Sequence, residues 1–221
     1  MRKARIPVWA AVVLALATCA SPVARARAGL KSEDARVRAE SARFLGEQRD
    51  RMAVPELSGL AQDSFAEVRF EVAIALGRIG DRRAVEPLAA ACRAEVRDDV
   101  ASAQVKGLTD LGGPAVGALV ELLASPKPVV RAMAASGLGR LRAEAGVDRL
   151  VWLLSDRVPM VRKAAARALR RIGDPRGLDA LARQIESPDR ETELNAEEEL
   201  GGRGYDEQLD QLRALLRRGQ R

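Results

Sequence analysis

The sequence predicts an all-α fold, an α-solenoid of about six two-helix repeats. Three observations carry that reading. A segment recurs every 30 to 32 residues: Val68-Arg69 returns as Val37-Arg38, Val130-Arg131 and Val161-Arg162, and Leu76-Gly77 as Leu45-Gly46 and Leu138-Gly139. A fixed period of this size marks stacked supersecondary units, each burying its apolar face on its neighbours. Apolar residues within each repeat follow a helical period, and no strand-like alternation is present. The chain is 47% hydrophobic but only 3% aromatic, as suits thin layers filled by Ala, Val and Leu.

The repeat at residues 66–94 shows how each element arises. Val68, Val72, Leu76 and Ile79 fall at i, i+4, i+8 and i+11, one face of a helix. Gly80-Asp81 stops that helix, as a glycine just past the C-terminus does. A second helix starts near Ala84, with Pro87 in its first turn, where the missing N–H costs little. Asp81, Val85 and Leu88 return as Asp174, Leu178 and Leu181. The same pattern predicts helices near 32–46, 53–62, 66–79, 84–94, 98–111, 114–124, 128–141, 144–154, 158–172, 177–186, 189–200 and 206–217. Connections are short, so consecutive helices are antiparallel neighbours.

Residues 1–28 read as an export leader and residues 29–221 as the repeat domain, with cleavage expected near 18–28. Met1 to Arg5 is a positive segment, and Ile6 to Ala17 is an apolar run shorter than a membrane span. Leu16-Ala17-Thr18-Cys19 resembles a bacterial lipobox, which makes Cys19 a candidate for lipidation and membrane tethering, although Thr18 departs from the usual small residue. Ordinary cleavage before Ser21 or before Gly29 also satisfies the small-residue rule. An uncleaved anchor is a third reading, since Ile6 to Ala24 carries no charge. The expected location is the periplasm, or the outer membrane as a lipoprotein, in a bacterial envelope.

Charge follows the leader. The net charge is +6, and the five basic residues of 1–28 leave 32 basic against 31 acidic residues beyond them, a net of +1. Such a balanced domain lacks the field of a nucleic-acid binder, and no nucleic-acid partner is expected. The chain has no His, and Cys92 alone remains outside the leader. Imidazole chemistry, His or Cys metal sites and internal disulfides are therefore excluded, and Cys92 is expected as a small core residue. No phosphate loop or nucleophile-elbow motif occurs. Glu197, Glu198 and Glu199 diverge by about 100° per residue around a helix, so they form a solvated face and not a catalytic pair. No catalytic, cofactor or metal residue is assigned.

The residues Val68-Arg69, Ala75-Leu76-Gly77, Ile79-Gly80-Asp81, Arg83-Ala84-Val85 and Pro87-Leu88 resemble the HEAT-like repeat of the phycobilisome-lyase (PBS lyase) family. The resemblance covers about residues 32–217. It implies a right-handed stack with the Val-Arg helix on the concave side and the Pro-Leu helix on the convex side. It also implies a structural ladder of an acid and an arginine six residues apart, matched by Asp63 with Arg69 and Asp156 with Arg162. Arg38 and Arg131 continue the arginine row with Ser32 and Ser125 at the acid position, while Ala101 and Glu193 break it. The family includes deoxyhypusine hydroxylase, whose His-Glu iron site this chain cannot supply. It also includes DNA glycosylases and bilin lyases, which the export signal argues against.

On the concave helices, positions two, three, six and ten after the valine are expected to face outward. These are Phe70, Glu71, Ile74 and Arg78; Ala132, Met133, Ser136 and Arg140; and Lys163, Ala164, Arg167 and Arg171. Phe70, Ile74, Met133, Arg78, Arg140, Arg167 and Arg171 are the candidate residues for docking a protein or peptide. The alternative is that the apolar ones pack between repeats and the arginines are solvated. Trp152 is expected in the core or packed on the convex face. Polar ends are expected as caps: Gln48-Arg49 in the first repeat, the acid-rich 189–206 unit, and a final helix through Leu209, Leu212, Leu215 and Leu216. The predicted function is an exported, non-catalytic scaffold or adaptor, expected as a monomer. The alternatives are an accessory factor, lyase-like or chaperone-like, that holds a substrate protein, and a lipid-tethered structural component of the envelope.

Overall fold

The leucine and glycine of each repeat fix how closely its helices pack. The computed structural model describes residues 21–177, and the chain divides into two compact units, residues 1–118 and 119–221. In the first unit the described helices are α1 (Pro22–Gly29), α2 (Ala35–Glu47), α3 (Val54–Gly59), α4 (Ala66–Ile79), α5 (Val85–Ala94) and α6 (Asp98–Leu111). The division falls within α7 (Val116–Leu122). The second unit continues with α8 (Pro128–Arg140), α9 (Val147–Leu153) and α10 (Pro159–Ile172). No strand occurs among the described residues.

The even-numbered helices α2, α4, α6, α8 and α10 carry the Val-Arg positions and are called A helices here. The shorter helices between them are B helices. The spans expected at 66–79 and 98–111 coincide with α4 and α6. B helices are entered through one 3₁₀ turn, at 51–53, 82–84, 113–115 and 144–146. Asp50 and Asp81 build two of these turns, accepting from the N–H groups of Met52 and Arg83 at 3.1 and 3.0 Å. Outside the described residues lie the helices expected at 189–200 and 206–217, the one expected at 177–186 after its first residue, the acid-rich cap with Glu193, Cys19 and the apolar run.

In the first unit α2 packs on α4, α4 on α6, and α5 on α6; in the second, α8 and α9 pack on α10. The recurring glycine explains the close A-helix stacking. A Cβ added to Gly46 would lie 2.6 Å from the Ala75 Cα, and one on Gly139 would lie 2.6 Å from the Ala168 Cα. Two glycines meet at Gly77 and Gly107, where the Gly107 Cβ would sit 2.5 Å from the Ala73 carbonyl. Behind this seam lie fully buried leucines: Leu45, Leu76 and Leu108 from A helices and Leu57 and Leu88 from B helices in the first unit, Leu138, Leu150 and Leu169 in the second. Cys92 is buried, with its Sγ 4.0 Å from the Ala101 carbonyl.

Three features depart from the sequence reading. Helix α1 lies inside the segment expected as leader, yet it packs on α2 and its Arg27 pairs with Asp50 at 2.5 and 2.7 Å. Ser21 caps it, accepting from the Ala24 N–H at 3.2 Å. Trp152 is 84% exposed, because Leu150 and Leu153 take the buried face of the short helix α9. Ala132 and Ala164, expected outward, are buried.

Gln104 replaces a core valine. It holds in α6 the place that Val72 holds in α4, is fully buried, and neither its Oε1 nor its Nε2 has a hydrogen-bond partner. Gln104→Leu therefore raises the unfolding free energy by about 1–2 kcal/mol in urea titrations, because two unsatisfied polar atoms leave the core. Gly107→Ala lowers it by about 2 kcal/mol or more through overpacking. Gly117→Ala, with no atom within 4 Å of the added Cβ, is neutral or raises it by about 0.5–1 kcal/mol.

Candidate functional site: the arginine ladder and the A-helix face

Each ladder arginine enters from the second turn of an A helix and turns its guanidinium toward the loop before that helix. Arg69 donates through Nη1 to the main-chain carbonyls of Asp63 and Ser64 at 2.8 and 3.3 Å. Its Nε and Nη2 donate to the two oxygens of Glu95 at 2.7 and 3.0 Å. Arg38 does the same with the Ser32 and Glu33 carbonyls (2.8 and 3.0 Å) and the Asp63 carboxylate (2.9 and 3.0 Å). In the second unit Arg131 takes the Ser125 and Pro126 carbonyls (2.8 and 3.1 Å) and the Asp156 carboxylate (2.9 and 3.0 Å). Arg162 takes the Asp156 and Arg157 carbonyls at 2.9 and 3.3 Å.

This differs from a pairing of acid and arginine six residues apart. The residue six before the arginine supplies its main-chain carbonyl. Its carboxylate, where it has one, serves the arginine of the repeat before. Ser32 and Ser125 can therefore stand in the row, since any residue supplies a carbonyl. The geometry also brings in Glu95, which spacing alone does not single out: it lies six residues before Ala101, where the arginine is missing. The signal that finds it is the interval to the preceding arginine, 25 residues for Asp63 and Asp156 and 26 for Glu95.

The pairs are sheltered, with side chains 11% and 7% exposed for Arg38 and Asp63, 15% and 1% for Arg69 and Glu95, and 9% each for Arg131 and Asp156. Guanidinium planarity permits bidentate contact while the remaining donors reach the carbonyls. Each acid also accepts a main-chain N–H that starts the next A helix: Phe65 to Asp63, Arg97 to Glu95 and Val158 to Asp156, at 2.9, 3.0 and 2.9 Å. Burial pushes the Asp63 and Glu95 carboxyls up, but their arginines and these N–H donors outweigh it and hold both below the usual carboxylate range. The Arg131 hydrogen bonds hold Asp156 down likewise. The Arg38 guanidinium also lies 5.7 Å from the Phe65 ring centre, a cation–π contact.

The docking candidates lie elsewhere on the A helices. In the first unit Phe70 and Ile74 are half-buried and Arg78 is exposed, with its Nη1 3.9 Å from Glu47. In the second, Met133 and Arg167 are half-buried, and Arg140 and Arg171 are exposed. Among the described residues no group of three or more potential ligands is placed to hold a metal ion. No described helix is long and apolar enough to cross a membrane.

Helical hairpins with this repeating arginine define the class of helical-repeat proteins. The profile of HEAT repeats matches residues 23–109 and 116–201, and the chain belongs to that family. Among solved structures it is similar to the complex of CpcE and CpcF of phycocyanin lyase from Nostoc sp. PCC7120, at 26% identity and TM-score 0.57, covering 84% of this chain and 78% of that one. An engineered protein is 22% identical with TM-score 0.50, covering 88% and 98% of the two chains. A designed armadillo repeat protein in complex with the peptide (KR)4 is 18% identical with TM-score 0.50, covering 86% and 100%. No curated protein sequence matches the chain.

Carboxylates whose pKa is lowered in the fold add stability above their unfolded pKa and lose it as pH falls through the folded value. Stability therefore declines as pH drops below about 4.5, the ordinary value for Glu95. Glu95→Gln flattens that decline in urea titrations across pH 2–5, a range set by the usual carboxylate values of about 4. At pH 7, Glu95→Ala costs about 3 kcal/mol by stranding Arg69. Ser125→Ala costs less than about 1 kcal/mol, since its ladder contact is its main-chain carbonyl.

Proposed function

We propose that this chain is an exported, non-catalytic scaffold that docks a protein or peptide on its A-helix face, the face that the phycobilisome-lyase resemblance makes concave. The observation that carries the reading is the recurrence of one surface register. Phe70, Ile74 and Arg78 line it in the first unit, and Met133, Arg140, Arg167 and Arg171 in the second. Half-buried apolar side chains beside exposed arginines are the composition of interface centres. The similarity to CpcE and CpcF, two chains that form a complex, supports a protein partner. The same similarity favours one second reading, an accessory factor that holds a substrate protein during modification. Turnover or a bound chromophore would separate it from the first.

Export is argued from the charge and apolar run of residues 1–17, with the periplasm or an outer-membrane lipoprotein as destination. The packing of α1 bears on where processing falls. Cleavage before Gly29 would remove α1 and the Arg27–Asp50 pair from the fold. Processing at Cys19 or before Ser21 would keep both. The mature chain on this reading begins at lipidated Cys19 or at Ser21.

The docking face is tested by the triple substitution Arg78→Glu, Arg140→Glu and Arg171→Glu. Capture of the partner by crosslinking in the envelope fraction falls at least tenfold, while Tm changes by less than about 3 °C because exposed charges contribute little to stability. Unchanged capture would remove these residues from the interface.

A further inference from the structure

The described turns that follow the A helices each contain one residue at positive φ. Glycine fills that place at Gly80 (φ 72°) and Gly173 (φ 98°), and Gly112 stands there with φ 76°. Two turns put an arginine there instead, Arg49 in the first repeat and Arg142 after α8, both at φ 50°. A residue with a Cβ is disfavoured in this region, but strain alone does not set Arg49 apart from Arg142; a use for its side chain has to come from its neighbours. The surroundings of Arg49 supply one. Arg51 and Arg82, at matching places in two successive turns, are also exposed, and none of the three guanidiniums donates a hydrogen bond among the described residues. The nearby acids are already engaged. Asp50 is taken by Arg27 and the Met52 N–H, and Asp81 by Arg83 and its N–H. Arg83 also donates to the Arg51 carbonyl at 3.0 Å, tying the two turns together. Met52, 70% exposed, stands next to Arg51 on the same edge.

We infer that this turn edge of the first unit, Arg49, Arg51 and Arg82 with Met52, is a binding site for an extended acidic peptide segment. Guanidiniums whose internal acids are already paired are available to external carboxylates, which they bind through two parallel N–H donors. Stacked helices stand about 8–10 Å apart, so arginines on successive turns match carboxylates three residues apart on a polyproline-II segment, which returns to the same face about every 9 Å. Met52 suits an apolar side chain between those carboxylates. The small extent of the edge and its single apolar side chain favour a peptide over a membrane or a nucleic acid, each of which would need a broader basic surface. The site is separate from the A-helix face.

The test uses the full chain and a fluorescein-labelled octapeptide of glutamate and leucine, with glutamate at every third position, read by fluorescence anisotropy. Wild type binds, and affinity falls steeply between 50 and 200 mM salt, concentrations chosen because surface charge contacts are screened over about 10 Å at 0.1 M. Arg49→Gly weakens binding at least fivefold and raises Tm, since it relieves the left-handed strain while removing a guanidinium. Arg142→Gly relieves the same strain at φ 50° in the second unit, raises Tm and leaves peptide binding unchanged. The triple variant R49G/R51S/R82S loses binding. Binding that Arg49→Gly leaves intact overturns the proposal, as does attachment to phosphatidylglycerol vesicles without peptide binding, or no peptide binding by wild type.

Discussion

The structure depends on a ladder arginine that in three A helices, at Arg38, Arg69 and Arg131, joins two successive loops. Its guanidinium holds the loop leading into its own helix through two carbonyls and the next loop through a carboxylate. The carboxylate in turn receives the N–H that starts the following helix. One side chain thus sets the entry of two helices, and the glycine seam sets their separation. With direction and spacing both fixed, leucine, valine and alanine suffice to fill the layers, and aromatic residues are not needed. A repeat that lost only the guanidinium would strand a buried carboxylate. At the one described interruption the sequence loses both partners, with Ala101 in place of the arginine and Ser125 in place of the acid.

Much of this was legible because repetition shows which residues share a role. The helical period placed α4 and α6, and the Leu-Gly pair marked the places where A helices meet. The partnership inside the ladder was not legible from the interval of six. That interval records a carbonyl contact, to which side-chain identity is indifferent, whereas the ion pair spans 25 or 26 residues and appears only when successive repeats are laid against each other. Helix α1 was hidden by composition. Its small residues and two arginines read as the tail of a leader, while in the structure it packs on α2 and carries the Arg27–Asp50 pair. Trp152, expected in the core or packed on the convex face, is instead 84% exposed. The helical period puts Leu150 and Leu153 on the buried face of α9 and leaves residue 152 outside.

The candidate binding surfaces follow from the same economy. A side chain not required by the ladder, the seam or the leucine core is released to the surface, and arginine takes the same register in α4, α8 and α10, with Asp110 there in α6. Phe70, Ile74 and Arg78 on the A-helix face arise in this way, and so does the arginine edge of the first turns. At Arg49, as at Arg142, an arginine stands where other turns use glycine, against the preference of the backbone.

The most direct test of the ladder as the organising interaction is a double-mutant cycle across Arg131 and Asp156, measured by urea unfolding of the wild type, Arg131→Ala, Asp156→Ala and the double variant. A coupling energy of about 2 kcal/mol or more, with the double variant no less stable than the worse single variant, is the predicted result. Additive losses with no coupling would contradict the account, because each residue would then act on its own and not as the joint between successive loops.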